Sequence, residues 1–174
     1  LEVGDRMQVY RSYREILDQE ANAGHGAEVF VRACSACHEI NGVGGKVGPD
    51  LTGYRNHAPE VLLLHILVPN HEIAPGYEAV TVTTRDGTTI AGRIVSETDN
   101  GLTLRTAFDA EEVVARPNIA AYVASGISLM PEGLEQTMTR EELADLLAYL
   151  RRKTVPPPNG RSVVPPAGSA RRGG

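Results

Sequence analysis

The 174-residue sequence contains no tryptophan, and aromatic residues make up only 5 % of it. Flat, bulky side chains usually dominate a core of this size, so their scarcity leaves room for a bound planar apolar group. The formal net charge is −5, which argues against nucleic-acid binding because that function needs a basic surface. No apolar run reaches the length of a membrane span, so we expect none in this chain.

Cysteine is equally scarce, and both cysteines lie in one motif, C-S-A-C-H, that runs from Cys34 through Cys37 to His38. This C-x-x-C-H pattern is the attachment signature of a c-type haem. Two thiols at this spacing can add to the two vinyl groups on one porphyrin edge, and the following histidine is then held under the iron. We therefore predict one covalent haem c, attached through Cys34 and Cys37, with His38 as an iron ligand.

Two other interpretations of the cysteine pair remain open at this stage. A redox dithiol also uses C-x-x-C, but in a βαβ setting that the flanking sequence does not predict. A zinc site could combine Cys34 and Cys37 with His65 and His71, whose spacing is tolerable for a zinc finger.

A haem iron needs a second axial ligand, and its identity decides what the iron can do. Met130 is the strongest candidate, because it lies on an irregular segment before the last predicted helix and Pro131 stiffens its approach. A thioether opposite an imidazole raises the reduction potential and closes the sixth position to substrates, as expected of an electron carrier. The main rivals are the two loop histidines, His57 and His71. The other weaker candidates are Met7, Met138, His25 and His65.

The segment Gly48-Pro49-Asp50-Leu51 follows the motif by a distance that suits a supporting role. A ligating imidazole normally donates its other N–H to a carbonyl, which fixes the orientation of the ring. Proline fixes the backbone direction and contributes only a carbonyl. We therefore predict that the Pro49 carbonyl accepts a hydrogen bond from His38.

Periodicity divides the chain into helical and strand regions. Apolar spacing predicts helices over 5–20, 24–33 and 59–67, and another that begins after Thr139, where Thr139 and Glu142 form a capping box. Between them, alternation and the turn signals at Asp86-Gly87 and Asn100-Gly101 predict four or five antiparallel strands within residues 76–122. Gly26 predicts a close crossing of the second helix with the last one.

Together these residues resemble the class I cytochromes c: a helix with Gly26 and Phe30, C-x-x-C-H, G-P-x-L, Met130-Pro131 and a closing Leu-rich helix with Tyr149. The runs GPDLTGY, SLMPEGL and EELADLLAYL are similar in particular to the haem-binding cytochrome c domain of the Planctomycete/Verrucomicrobium type. The resemblance implies a mainly α, class I cytochrome c fold with a small antiparallel β meander or barrel inserted between the haem-loop helix and the axial methionine. It also implies thioethers at Cys34 and Cys37, ligation by His38 and Met130, and orientation of His38 by Pro49.

The expected domain organisation has four regions. A discontinuous haem domain consists of residues 23–75 and 123–153, and a β subdomain, residues 76–122, is inserted into it. Residues 1–22 form an N-terminal helical arm that packs against the rest. Residues 154–174 form a flexible tail rich in Pro, Gly and Arg.

The function predicted from these features is one-electron transfer by a mono-haem c-type cytochrome, and not enzymatic catalysis. Covalent haem attachment takes place outside the cytoplasm, so we expect a periplasmic protein whose export signal was removed or lies outside this sequence. The expected partners are exported redox proteins, such as a periplasmic dehydrogenase or a terminal oxidase chain. Two alternatives are a haem-based redox or gas sensor and a partner-docking module of a larger exported protein. The oligomeric state stays open.

Overall fold

The computed structural model describes residues 3–106 and 109–152. The α-helices in these ranges are α1 (Val3–Tyr13), α2 (Ala23–Ala33), α3 (Pro59–Leu67) and α4 (Arg140–Leu150). The strands are β1 (Glu39–Ile40), β2 (Val43–Gly44), β3 (Glu78–Thr84), β4 (Thr89–Thr98), β5 (Gly101–Arg105), β6 (Glu111–Ala115) and β7 (Ile119–Ser128). Short 3-10 helices cover Arg14–Asp18, Leu51–Asn56, Arg116–Asn118 and Leu134–Thr137. The predicted flexible tail, residues 154–174, lies outside the described residues.

The prediction of a mainly α fold is wrong. Of the described residues, 41 % are helical and 28 % lie in strands. Five strands form one antiparallel sheet in the order β6-β5-β4-β3-β7. Much of the strand outside the predicted range of 76–122 lies in β7, which extends to Ser128. Its sequence, IAAYVASGIS, is rich in Ala, Ser and Gly and lacks the apolar alternation that indicates a strand, so periodicity alone underestimates the sheet.

The helices enclose a core that is centred on the crossing of α2 and α4. Gly26 lies at this crossing, where a Cβ atom would be 2.5 Å from the carbonyl carbon of Asp145 and 2.9 Å from the Cβ of Tyr149. Only glycine allows the two helices to come so close. Phe30, one turn further along α2, packs on Tyr149 with 5.6 Å between the ring centroids. The close crossing predicted from Gly26 is therefore present.

The helix ends follow the signals in the sequence. Pro59 is at the first position of α3, where its missing N–H costs nothing because that group has no partner inside the helix. At the start of α4, the Thr139 hydroxyl accepts from the Glu142 N–H, and a Glu142 carboxylate oxygen accepts from the Thr139 N–H. None of the helices in the described ranges is long and apolar enough to cross a membrane.

The sheet has a small core of its own. The residues buried in it are Val80, Val82, Leu102, Leu104 and Val114. Two contacts tie the sheet to the loop after His38: the Lys46 N–H donates to Asp109, and the Arg93 guanidinium donates to the Lys46 carbonyl at 2.8 Å. The sheet is thereby held beside the C-x-x-C-H segment.

Candidate functional site

The C-x-x-C-H segment forms a tight turn at the end of α2. The Cys34 N–H donates to the Phe30 carbonyl at 2.8 Å, which continues the helical pattern by one residue. The chain then folds back, because the N–H groups of Cys37 and His38 both donate to the Cys34 carbonyl, at 3.0 and 2.9 Å. Both sulfur-bearing residues and the histidine are thus presented from one turn of backbone.

The His38 ring is held in one orientation by Pro49. Its Nδ1 lies 2.8 Å from the Pro49 carbonyl oxygen, which is the hydrogen bond that the sequence predicts. Since a carbonyl only accepts, Nδ1 carries the proton and Nε2 keeps the lone pair that a metal would take. Burial lowers the pKa of His38, and the bond to Pro49 offsets part of that shift. The ring is therefore neutral at physiological pH, as ligation requires.

Gly48 makes room for this ring. A Cβ atom at residue 48 would lie 2.7 Å from Nδ1 and 2.8 Å from Nε2 of His38, closer than any side chain tolerates. The Gly48 N–H also donates to the Cys37 carbonyl at 2.7 Å. The backbone of Gly48 and Pro49 therefore forms a cradle that a larger residue at 48 would fill.

All five predicted site residues line one cavity of about 310 Å³. Such a volume is within the range of small-molecule and cofactor sites. The site residues on its wall are Cys34, Cys37, His38, Pro49 and Met130. Apolar side chains make up much of the remaining wall: Ala33, Val47, Leu51, Leu62, Ile66, Ile73, Leu129, Leu134 and Leu150. The structure brings these five residues together, and their roles toward a cofactor stay predictions.

The rivals of Met130 lie mostly elsewhere. His57 stacks on Tyr54 with 4.7 Å between the ring centroids, and His25 pairs with Asp145 at 2.7 Å. Met7 and Met138 pack against the helical core. Neither His57 nor His71 is on the cavity wall, which does include His65.

Sequence reasoning missed a polar patch on this wall, formed by Tyr54, His65, Glu72 and Tyr77. Burial raises the pKa of Tyr54, and the nearby Tyr77 and Glu72 raise it further. Burial lowers the pKa of His65, against the effect of Glu72. Of these four residues, only His65 is a candidate from the sequence, as a possible zinc ligand and a weaker axial ligand; the signal for Tyr54 and Tyr77 is only that they come before and after α3.

Met130 lies on a segment that is fixed by hydrogen bonds. Its N–H donates to the Ser128 hydroxyl at 3.1 Å, and the Ser128 N–H donates to the Asn70 side-chain oxygen at 2.8 Å. The amide nitrogen of Asn70 donates to Glu132 at 2.8 Å. The chain on both sides of Met130 is therefore anchored to Asn70, in the segment that follows α3.

The two other interpretations of the cysteines gain no support. In the described ranges, no three side chains of His, Cys, Asp or Glu are grouped so that they could hold a metal ion. Burial raises the pKa of the Cys34 thiol to about 12, and burial together with Asp109 raises that of Cys37. Redox dithiols need a low thiol pKa, because the thiolate is the reactive form.

The donor set fits a haem c. Two adjacent thiols, an oriented neutral imidazole and a thioether converge on a largely apolar cavity, and the Gly48 cradle keeps the imidazole in place.

Comparison with known families also supports a c-type cytochrome domain. The profile of the family described as cytochrome C oxidase, cbb3-type, subunit III matches residues 21–91. The match covers α2, the C-x-x-C-H segment, Pro49 and α3, and it supports a c-type cytochrome domain, the kind of domain that carries covalent haem c and transfers electrons. Met130 lies beyond the matched residues. No curated protein matches the chain.

Proposed function

We propose that this chain is a mono-haem c-type cytochrome that transfers single electrons. One haem would be held by thioethers to Cys34 and Cys37, with His38 and Met130 as axial ligands and the Pro49 carbonyl orienting His38. The convergence of these side chains on one cavity supports the proposal most directly. When bound, the haem supplies an iron that alternates between the ferric and ferrous states.

The protein's own residues would tune that iron in three ways. The His38–Pro49 hydrogen bond raises the basicity of the imidazole. As an iron ligand, the thioether of Met130 would favour the ferrous state and leave no open position for a substrate, which suits a carrier better than an enzyme. The largely apolar cavity wall would bury much of the haem, and burial is one of the factors that set its reduction potential.

The domain arrangement proposed for this function is discontinuous. The cysteines and the histidine precede the five-stranded sheet in the chain, and Met130 follows it. The separate apolar cores of helices and sheet support an insertion. The Planctomycete/Verrucomicrobium type of cytochrome c domain is the subgroup we propose.

The setting we propose is the periplasm. Domains of the cbb3-type family typically face that compartment and act in oxidase or redox complexes as electron carriers rather than as enzymes. The proposed partners are therefore exported redox proteins, such as a periplasmic dehydrogenase or the components of a terminal oxidase chain.

A spectroelectrochemical titration of the holoprotein tests the function. We expect one reversible wave that fits a one-electron Nernst curve, with low-spin spectra in both states. Exposure of the reduced protein to carbon monoxide without denaturant should give only slow binding, because the Met130 thioether would already be bound to the iron. Rapid binding would instead support the sensor alternative.

A further inference from the structure

Arg6, on the N-terminal helix α1, is a buried cation that joins three parts of the chain. It is only 1 % exposed. Its Nε donates to the Leu67 carbonyl at 2.8 Å, and its Nη1 and Nη2 donate to the two carboxylate oxygens of Glu135 at 3.0 and 2.8 Å. The side chains of Arg6 and Glu135 are 2 % and 4 % exposed, so the whole pair is withdrawn from water.

The geometry of this pair is specific to arginine. A guanidinium presents parallel N–H groups that match a carboxylate, and its Nε–H remains free to bond a third group. That third group, the Leu67 carbonyl, belongs to the last turn of α3, where carbonyls lack partners within the helix. Burying such a pair is expensive unless its bonds are nearly complete, and here each of the three contacts is within hydrogen-bond distance.

Glu135 is only five residues after Met130, on the 3-10 helix Leu134–Thr137. Gly133, with φ of +86°, turns the chain sharply between the two. Asn70 holds the chain on both sides of Met130, because its side chain accepts from the Ser128 N–H and donates to the Glu132 carboxylate. The end of α3 and the residues just after it therefore anchor the segment 128–135, and Arg6 completes the anchor from α1.

We infer that Arg6 is a positioning residue for the Met130 thioether: it locks Glu135, and with it the segment 128–135, against the end of α3. This inference rests on the proposed ligation by Met130. Methionine has a long, flexible side chain, so a backbone that is held in place beforehand strengthens the binding of its thioether to a metal. The arm formed by α1 thereby gains a role beyond packing, although it precedes the residues matched by the family profile.

Three variants of the holoprotein separate positioning from stability. Arg6→Met removes the anchor and leaves Glu135 buried without its partner. Arg6→Met with Glu135→Leu removes both charges, so much of the stability should return. Ile16→Ala is the matched control, because Ile16 is 1 % exposed in the 3-10 helix that follows α1 and packs in the helical core. It creates a cavity in the same arm without removing the anchor.

The readouts are the methionine–iron charge-transfer band of the ferric protein and its affinity for added imidazole, which competes with Met130. In Arg6→Met the band should weaken, and the imidazole affinity should rise about 10- to 100-fold, the usual effect of losing an outer partner of a metal ligand. The double variant should keep the raised affinity even though its stability recovers. Ile16→Ala should unfold more easily but keep the band and the wild-type imidazole affinity.

Each remaining outcome overturns the inference. A positioning role would be contradicted by any of three results. These are wild-type imidazole affinity in Arg6→Met, recovery of both wild-type affinity and stability in the double variant, and an equal rise of imidazole affinity in Ile16→Ala. If the wild-type protein carries covalent haem but shows no methionine–iron band, ligation by Met130 fails, and this inference fails with it. If the wild-type protein shows the band and Arg6→Met leaves it intact, only the positioning role is overturned, and ligation by Met130 stands.

Discussion

Gly48 lies directly against the imidazole ring of His38, and no other residue fits there. A Cβ atom on residue 48 would be within 2.8 Å of both ring nitrogens. The ring cannot retreat without losing its hydrogen bond to the Pro49 carbonyl. The position of the proposed iron ligand is thus set by the glycine that lies beside it on the cavity wall.

Gly48→Ala should therefore disturb the ligand more than the fold. Overpacking of this kind costs about 1–3 kcal/mol in the free energy of unfolding. The displaced ring should shift the visible spectrum of the ferric holoprotein toward the high-spin form. The matched control is Gly53→Ala, because a Cβ at residue 53 meets no atom within 4 Å. Identical spectra for the two variants would contradict the role of Gly48.

Gly26→Ala should weaken the crossing of α2 and α4. The added Cβ would meet the backbone of Asp145, so we expect a loss of about 1–3 kcal/mol or more in the free energy of unfolding. Denaturant unfolding measures it. Gly4→Ala in α1 is the control, because a Cβ there meets nothing within 4 Å and alanine favours a helix by up to about 1 kcal/mol. A stabilising effect at residue 26 would mean that the helices cross less closely.

Met130→Ala should abolish the methionine–iron charge-transfer band while the protein stays folded and keeps its covalent haem. The reduced variant should bind carbon monoxide quickly, because the sixth position is open. Met138→Ala is the control, since Met138 packs against the helical core and is not on the cavity wall. A band that persists in Met130→Ala and disappears in Met138→Ala would reassign the ligand.

The His25–Asp145 pair should make stability depend on pH. The hydrogen bond that His25 Nδ1 donates to the Asp145 carboxylate raises the pKa of His25 above its ordinary value of 6.5. The folded state therefore binds the His25 proton more tightly than the unfolded state does. The pair's contribution to the free energy of unfolding is complete below about pH 6.5 and is lost as the pH rises through the folded-state pKa of His25.

Unfolding free energies measured between about pH 5.5 and about pH 8.5, on either side of the ordinary histidine pKa, test this. The difference between wild type and His25→Gln should be largest at the acidic end and should shrink as the pH rises. Asp145→Asn should reduce the pH dependence in the same way. A difference that is constant across this range would show that the pair does not titrate with folding.

The sequence was most informative where local chemistry decides the structure. The start of α3 at Pro59, the capping box at Thr139 and Glu142, and the bond from His38 to Pro49 all follow from short-range rules, and all are present. The close crossing at Gly26 could also be predicted, since a glycine on a buried helix face has few other uses.

Long-range pairing could not be predicted. The strand β7 is bonded to β3 some forty residues earlier in the chain, and its small residues give no periodic signal, so the share of strand was underestimated. The Arg6–Glu135 pair spans 129 positions, and neither residue belongs to a recognisable motif. The cavity wall likewise joins distant segments, because His65, Glu72 and Tyr77 precede the five-stranded sheet and Met130 follows it.

The most direct test of the account is the intact mass of the protein expressed in a host that attaches haem c in its periplasm, read together with a pyridine haemochrome spectrum. The account predicts a mass increase of one haem per chain and a spectrum typical of two thioether bonds, both lost in a Cys34→Ala/Cys37→Ala variant. A folded wild-type protein with two unmodified thiols and no haem absorbance would contradict it.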